Sequence, residues 1–174
     1  MNIAKNNKIM NNRELQPSVT VFLHHQDKYL FIKKNENRWV DSGRLNGIGG
    51  KVKRSESFLQ AAIRETNEEV GLQFKPEEVK FCGLLSTSEG YPQDWLVGFF
   101  LIEVDSFKLP VGDRCDEGDF LWLTAKELFE QKAVLVDDLH YLFPEYLHKE
   151  TPFFAYARLN EKEKVEEIEI RLSA

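Results

Sequence analysis

Glu65, Glu68 and Glu69 crowd into one short stretch, with Arg64 directly before them and Glu56 upstream. A helix turns about 100° per residue, so carboxylates at this spacing gather on one side of it. Such charge runs usually do no more than solvate a helix surface, with lysines interspersed among the glutamates. Here Arg64 is the only basic residue between Ser57 and Phe74. Like-charged neighbours on a helix cost about 0.2 to 0.5 kcal/mol per pair, and anions near its C-terminus also oppose the macrodipole. A hard divalent cation would offset that repulsion. Mg²⁺ takes carboxylate oxygens, keeps several waters and bridges to phosphates, so the pattern predicts a metal site for a phosphorylated ligand.

The element carrying these acids has clear limits. Ser57 and Gln60 have capping-box spacing and Gly71 supplies a left-handed stop, which predicts a helix over 58–70. Leu59, Ala62, Ile63, Thr66 and Val70 then share the apolar side. Ahead of it, 17–23 and 28–32 read as strands joined by a polar turn, followed by a glycine-rich stretch over 42–50. His24 and His25 lie in extended chain, where adjacent side chains point apart, so they are expected at a turn or surface rather than on one ion. Residues 79–88 and 95–104 read as strands around a turn at 89–94. A short strand over 120–123 enters a helix capped by Thr124 and Glu127, another helix follows Asp137 and Asp138, and 152–159 with 165–172 closes the chain as a hairpin. Strands and helices interleave without βαβ regularity, which implies an α/β fold with a mixed sheet between helices.

Composition sets the context. The chain has 174 residues, 42% of them hydrophobic and 30% charged, which suits one globular domain. The polar, Asn-rich segment 1–16 reads as a flexible arm and 17–174 as the domain. A net charge of -6 argues against holding a nucleic-acid backbone, so a phosphorylated ligand would need metal ions. No apolar run reaches the ~20 residues of a spanning helix, and no secretory leader is evident, so a cytoplasmic protein without membrane partners is expected. Cys82 and Cys115 form neither a CxxC pair nor a disulfide framework. Oligomeric state is left open, with a monomer compatible.

Gly50, Glu56, Arg64, Glu65, Glu68, Glu69, Gly71 and Leu72 stand at the spacings of the Nudix box, GX5EX7REUXEEXGU, and Thr66 alone departs where a bulky aliphatic is preferred. The chain thus resembles the Nudix hydrolases, which cut a nucleoside diphosphate from another group on an α/β/α sandwich, using Mg²⁺ or Mn²⁺. By that resemblance Glu65, Glu68, Glu69 and the Gly49 carbonyl are metal ligands, Glu56 is a supporting acid and Arg64 orients a box carboxylate. Glu117, five residues before Trp122, is similar to the extra acid that several members place opposite the box. The resemblance implies that it is a further ligand and a rival of Glu69 for the general base.

From residue 17 onward the chain also resembles the MutT-like members that remove oxidised purine nucleotides such as 8-oxo-dGTP. Asn46 matches an asparagine aimed at the base, and Asp137 and Asp138 match paired aspartates at a helix start. Taken alone, such aspartates are mostly caps, and Lys51, a possible phosphate contact, is commonly just solvated. Leu135 stands where the vertebrate enzyme has a base-stacking tryptophan. The resemblance implies a Mg²⁺-dependent nucleoside triphosphate diphosphatase that releases a monophosphate and pyrophosphate. A second reading keeps the chemistry but takes dinucleoside polyphosphates or nucleotide sugars. A third is a nucleotide-sensing module, which could dispense with the box glutamates.

Overall fold

The structure, a computed structural model, describes residues 14–37, 41–130 and 134–174. Its strands are β1 (Leu15–His25), β2 (Lys28–Lys34), β3 (Leu45–Asn46), β4 (Ile48–Lys51), β5 (Lys80–Ser88), β6 (Asp94–Glu103), β7 (Arg114–Cys115), β8 (Gly118–Thr124), β9 (Phe153–Leu159) and β10 (Val165–Leu172). The helices are α1 (Phe58–Val70), α2 (Ala125–Glu130) and the single turn α3 (Leu139–Leu142). All ten strands form one mixed sheet in the order β10-β9-β5-β6-β1-β2-β8-β7, with β3 on β2 and β4 on β1. The β1–β6 and β5–β9 pairs are parallel and the others antiparallel.

The sheet separates two apolar layers. Ala61, Ala62 and Val70 of α1 pack with Val21, Leu30, Ile48 and Ile102 on one face. Leu128 of α2, Leu139 and Leu142 of α3 and Leu147 pack with Phe22, Phe31, Phe99 and Phe153 on the other. Strands buried on both faces need unbroken apolar runs, and the stretch from Trp95 to Ile102 in β6 is one. The result is the expected α/β/α sandwich. Among the described residues no helix is long and apolar enough to cross a membrane.

Two boundaries differ from the sequence reading. Leu15 and Gln16, assigned to the arm, pair in parallel with Asp94 and Trp95, so β1 starts before residue 17; residues 1–13 of that arm lie outside the described residues. The glycine-rich stretch, to which the sequence reading assigned no element, contains β3 and most of β4. A side chain at Gly49 would place its Cβ 1.9 Å from the Val19 carbonyl oxygen, and one at Gly47 would lie 2.7 Å from Thr20 Cγ2. These glycines let β4 press against β1, which brings the start of the Nudix-like motif onto the sheet.

Candidate active site

Ser57 and Gln60 exchange both bonds of the capping box, and Gly71 ends α1 with φ 77° and its N–H on the Asn67 carbonyl. Thr66, the departure from the motif, is fully buried and donates its hydroxyl to the Ala62 carbonyl at 2.8 Å. The turn-back bond satisfies the polar atom that a bulky aliphatic would not have carried.

Arg64 organises most of the acids. Its Nε and Nη2 grip the two Glu56 oxygens at 2.7 and 2.9 Å, and Nη1 reaches Glu65 at 2.6 Å and Glu68 at 2.9 Å. Nη2 also donates to the Lys51 carbonyl at 3.1 Å. The Arg64 hydrogen bonds hold the Glu56 carboxyl down at about 2, against the opposing effect of burial. Desolvation opposes ionisation of Glu68 too, yet Arg64 and Lys53 keep its carboxyl below the ordinary range. Lys53, before the helix, reaches Glu68 at 3.3 Å. The sequence reading that the acids lack opposite charge is thereby corrected: Arg64 on the helix and Lys53 before it supply the countercharge.

Glu69 is different. It lies on the buried side of α1, only 6% exposed, and its Oε2 is buried without a hydrogen-bond partner. Burial pushes its carboxyl up to about 8; the charges of Glu117 and Glu65 act in the same sense, while Lys34 and a hydrogen bond from the Gly49 backbone oppose them. Gly50 is what lets Glu65 approach, since a Cβ there would sit 2.5 Å from Glu65 Oε1. Across from the helix, Glu117 is in the β7–β8 turn and pairs with Lys34 at the end of β2.

Among the described residues no group of three acidic, histidine or cysteine side chains is drawn together as a ready cation cage. Arg64 and Lys34 hold Glu65, Glu68 and Glu117 in ion pairs. The donor set nevertheless suits a hard cation: Glu69 bonds the Gly49 backbone and keeps its Oε2 buried without a partner, and Glu65 and Glu117 lie near enough for their charges to act on it.

A cavity of about 380 Å³ adjoins these groups, lined by Lys34, Gly49, Gly50, Lys51 and Glu117 and also by Asn46, Asp137 and Asp138. Every substrate-binding candidate from the sequence therefore borders one space. Lys51 holds its Nζ 5.6 Å from the centroid of the Trp95 ring. Asn46 is already engaged, donating Nδ2 to Asp41 Oδ2 at 2.9 Å and accepting the Gly47 N–H at 2.7 Å. Asp137 and Asp138 do not act as a matched pair. Asp137 accepts Lys164 Nζ and the Val165 N–H, both at 2.8 Å, and these outweigh burial to lower its pKa. Asp138 keeps a buried Oδ1 without partner, and burial first, then the Asp41 charge, pushes it up to about 7.

Sequence reasoning missed Lys34, Asp41, Tyr91, Trp95 and Glu163, which line the same cavity. Asp41 precedes Asn46 by five residues in a loop without periodicity, so no pattern marked it. Leu135 is fully buried in the core and bridges to Leu45, so it offers no stacking surface; Tyr91 and Trp95 supply the aromatic wall instead.

The NUDIX domain family matches residues 14–146. An ADP-ribose pyrophosphatase of Methanocaldococcus jannaschii is 28% identical over 128 residues, 71% of this chain and 73% of that protein. Among solved structures, a MutT protein from Bacillus halodurans superimposes with a TM-score of 0.74 at 19% identity, covering 90% of this chain and 97% of that one. A NUDIX hydrolase from Nitrosomonas europaea gives a TM-score of 0.62 at 23% identity, over 78% and 89% of the two chains. At these identities the structural likenesses speak for the fold, whereas the family match spans the motif and strands β1 to β8, and the chain belongs to the NUDIX family.

Proposed function

We propose that this Nudix hydrolase is a Mg²⁺-dependent nucleoside triphosphate diphosphatase acting on oxidised purine deoxynucleotides and releasing a monophosphate and pyrophosphate. The observation that carries it is the orphaned, buried Glu69 oxygen beside Gly49, with Glu65 and Glu117 near enough to raise its pKa. Glu65, Glu68, Glu69, Glu117 and the Gly49 carbonyl would hold Mg²⁺ or Mn²⁺, which polarises phosphoryl oxygens and acidifies water. Arg64 fixes Glu65 and Glu68, and Glu56 fixes Arg64 by gripping two of its nitrogens. Glu69 Oε2, which no protein donor occupies, would accept the proton once a bound cation has drawn the buried carboxyl into its ionised form. Glu117 serves as a ligand and as the partner of Lys34. Lys51 and Lys34 face phosphate from the cavity wall, while Asn46 and Asp138 face the base. A cytoplasmic location suits a substrate drawn from the nucleotide pool.

A second reading, a nucleotide-sugar substrate, is favoured by the name of the Methanocaldococcus jannaschii relative. The deciding experiment is a panel with Mg²⁺: 8-oxo-dGTP, dGTP, diadenosine tetraphosphate and ADP-ribose, scored by kcat/KM and by products. Pyrophosphate from 8-oxo-dGTP at the highest kcat/KM supports the proposal. Faster cleavage of ADP-ribose than of either deoxynucleotide transfers the assignment to the second reading.

A further inference from the structure

The sheet ends on one side with β7, two residues long, and on the other with β10, eight residues long. Among the described residues no strand pairs with the outer side of β10, which leaves a row of backbone N–H and C=O groups without a ladder partner on that side. The strand is well fixed on its inner side. It pairs with β9 as far as Leu172 opposite Phe153, and Asp137 secures its start by accepting Lys164 Nζ and the Val165 N–H. Ile168 and Ile170 pack against the core, and Leu172, on the same face, is 45% exposed. Glu167, Glu169 and Arg171 lie on the opposite face, where Arg171 stands across from Phe154, itself 52% exposed. An edge that is short, like β7, or that carries one sign of charge resists pairing with another chain. Neither holds for β10, whose charges run acidic, acidic, basic along one face.

We infer that β10 pairs antiparallel with β10 of a second copy of this chain, about a two-fold axis at Ile170, so that the two sheets join into one. Residues directly opposite in an antiparallel pair share a face, so the register decides every contact. With Ile170 opposite its own copy, Glu169 faces Arg171 at two places and Ile168 faces Leu172 at two places. The exposed Leu172 is thereby covered by an apolar side chain. Moving the axis to Glu169 sets that glutamate against its own copy, and moving it to Arg171 does the same for the arginine. An axis at Ile168 sets Glu167 against Glu169 twice. Like charges directly opposite are destabilising, whereas opposite charges and apolar pairs stabilise a sheet. Of these four registers, the one at Ile170 has two opposite-charge pairs and no like pair. The contact uses the same edge on both copies and leaves neither free, so association stops at two.

The test is sedimentation equilibrium of the full chain over a range of concentrations. The wild type is expected to dimerise, and a chain that stays monomeric up to about 100 μM overturns the inference. Glu169→Arg and Arg171→Glu each place like charges opposite one another at two positions, and each should raise the dimer Kd at least about tenfold. Combining Glu169→Arg with Arg171→Glu restores both opposite-charge pairs and should bring the Kd back to within about threefold of the wild type. Single variants that dimerise like the wild type, or a double variant no tighter than the singles, overturn the inference. Where a charge variant does not fold by circular dichroism, cysteine cross-linking decides. Ile170→Cys adjoins its own copy across the axis and should form a disulfide-linked dimer under mild oxidation, seen on a non-reducing gel. Ile168→Cys, more than about 10 Å from its copy, should not. No covalent dimer with Ile170→Cys, or equal cross-linking of the two variants, overturns the register and the inference with it.

Discussion

Replacing Glu69 by Gln should flatten the pH dependence of stability in the metal-free protein. Glu69 titrates near 4.5 when unfolded and at about 8 in the fold, because burial disfavours its charged form. The folded state therefore holds a proton that the unfolded state has released between those values. Stability is fully present below pH 4.5 and drains away as pH rises towards 8. At about 1.4 kcal/mol per pH unit, the loss between pH 5 and pH 8 is about 3 kcal/mol. With a residue only 6% exposed, solvent screening takes little from that figure. For a chain of this size it corresponds to roughly 6 to 12 °C in Tm. Glutamine has the same shape and no titration, and any constant cost of burying its amide drops out of a difference between pH values. Urea unfolding in EDTA at pH 5 and pH 8 measures both proteins. Asp138 titrates in each and cancels in the comparison. Parallel pH dependences for wild type and Glu69→Gln would refute the placement of Glu69 as a buried acid.

Mg²⁺ at a hundredfold excess over its Kd should stabilise the wild type by about 2.7 kcal/mol and Glu69→Gln by much less, read as Tm shifts; equal shifts would remove Glu69 from the ligand set. Gly50→Ala should reduce turnover at least about tenfold with little change in fold, since its Cβ would meet Glu65 Oε1 at 2.5 Å; wild-type kcat with wild-type Mg²⁺ affinity would contradict this. Arg64→Lys cannot grip both Glu56 oxygens and still reach Glu65 and Glu68. Its Mg²⁺ affinity, by calorimetry, should fall about tenfold or more, and an unchanged value would show that Arg64 is an ordinary helix ion pair.

The helix, its caps and its acids were legible because each depends on neighbours in sequence: Ser57 with Gln60, Gly71 at the end, glutamates at helical spacing. What stayed hidden depends on contacts across the sheet. Glu69 sits beside Glu68, and only the packing of α1 against β4 buries one and leaves the other half exposed. Lys34 and Glu117 are 83 positions apart and meet because β2 and β8 are paired. Asp137 and Asp138 look equivalent in sequence; the β9–β10 hairpin, folding back from residue 164, distinguishes them. The strands β3 and β4 were concealed by glycines, which lower strand propensity but here permit close backbone approach.

Two environments recur, and together they explain how one small domain can sort its many carboxylates. Glu56 and Asp137 each have cationic or N–H donors on both oxygens and are held as permanent anions, Glu56 at about 2. Glu69 and Asp138 each keep one buried oxygen without partner and titrate near neutrality, at about 8 and about 7. Environments that drive like groups apart in this way separate acids that orient from acids that exchange protons or meet a ligand. The first pair anchors structure: Glu56 secures Arg64, and Asp137 secures the hairpin. The second pair borders the working space, Glu69 where a cation and phosphate would lie and Asp138 in the ligand cavity. Exchanging the environments, for example by removing Arg64 from Glu56, would leave the same residues in the sequence with neither division of labour intact.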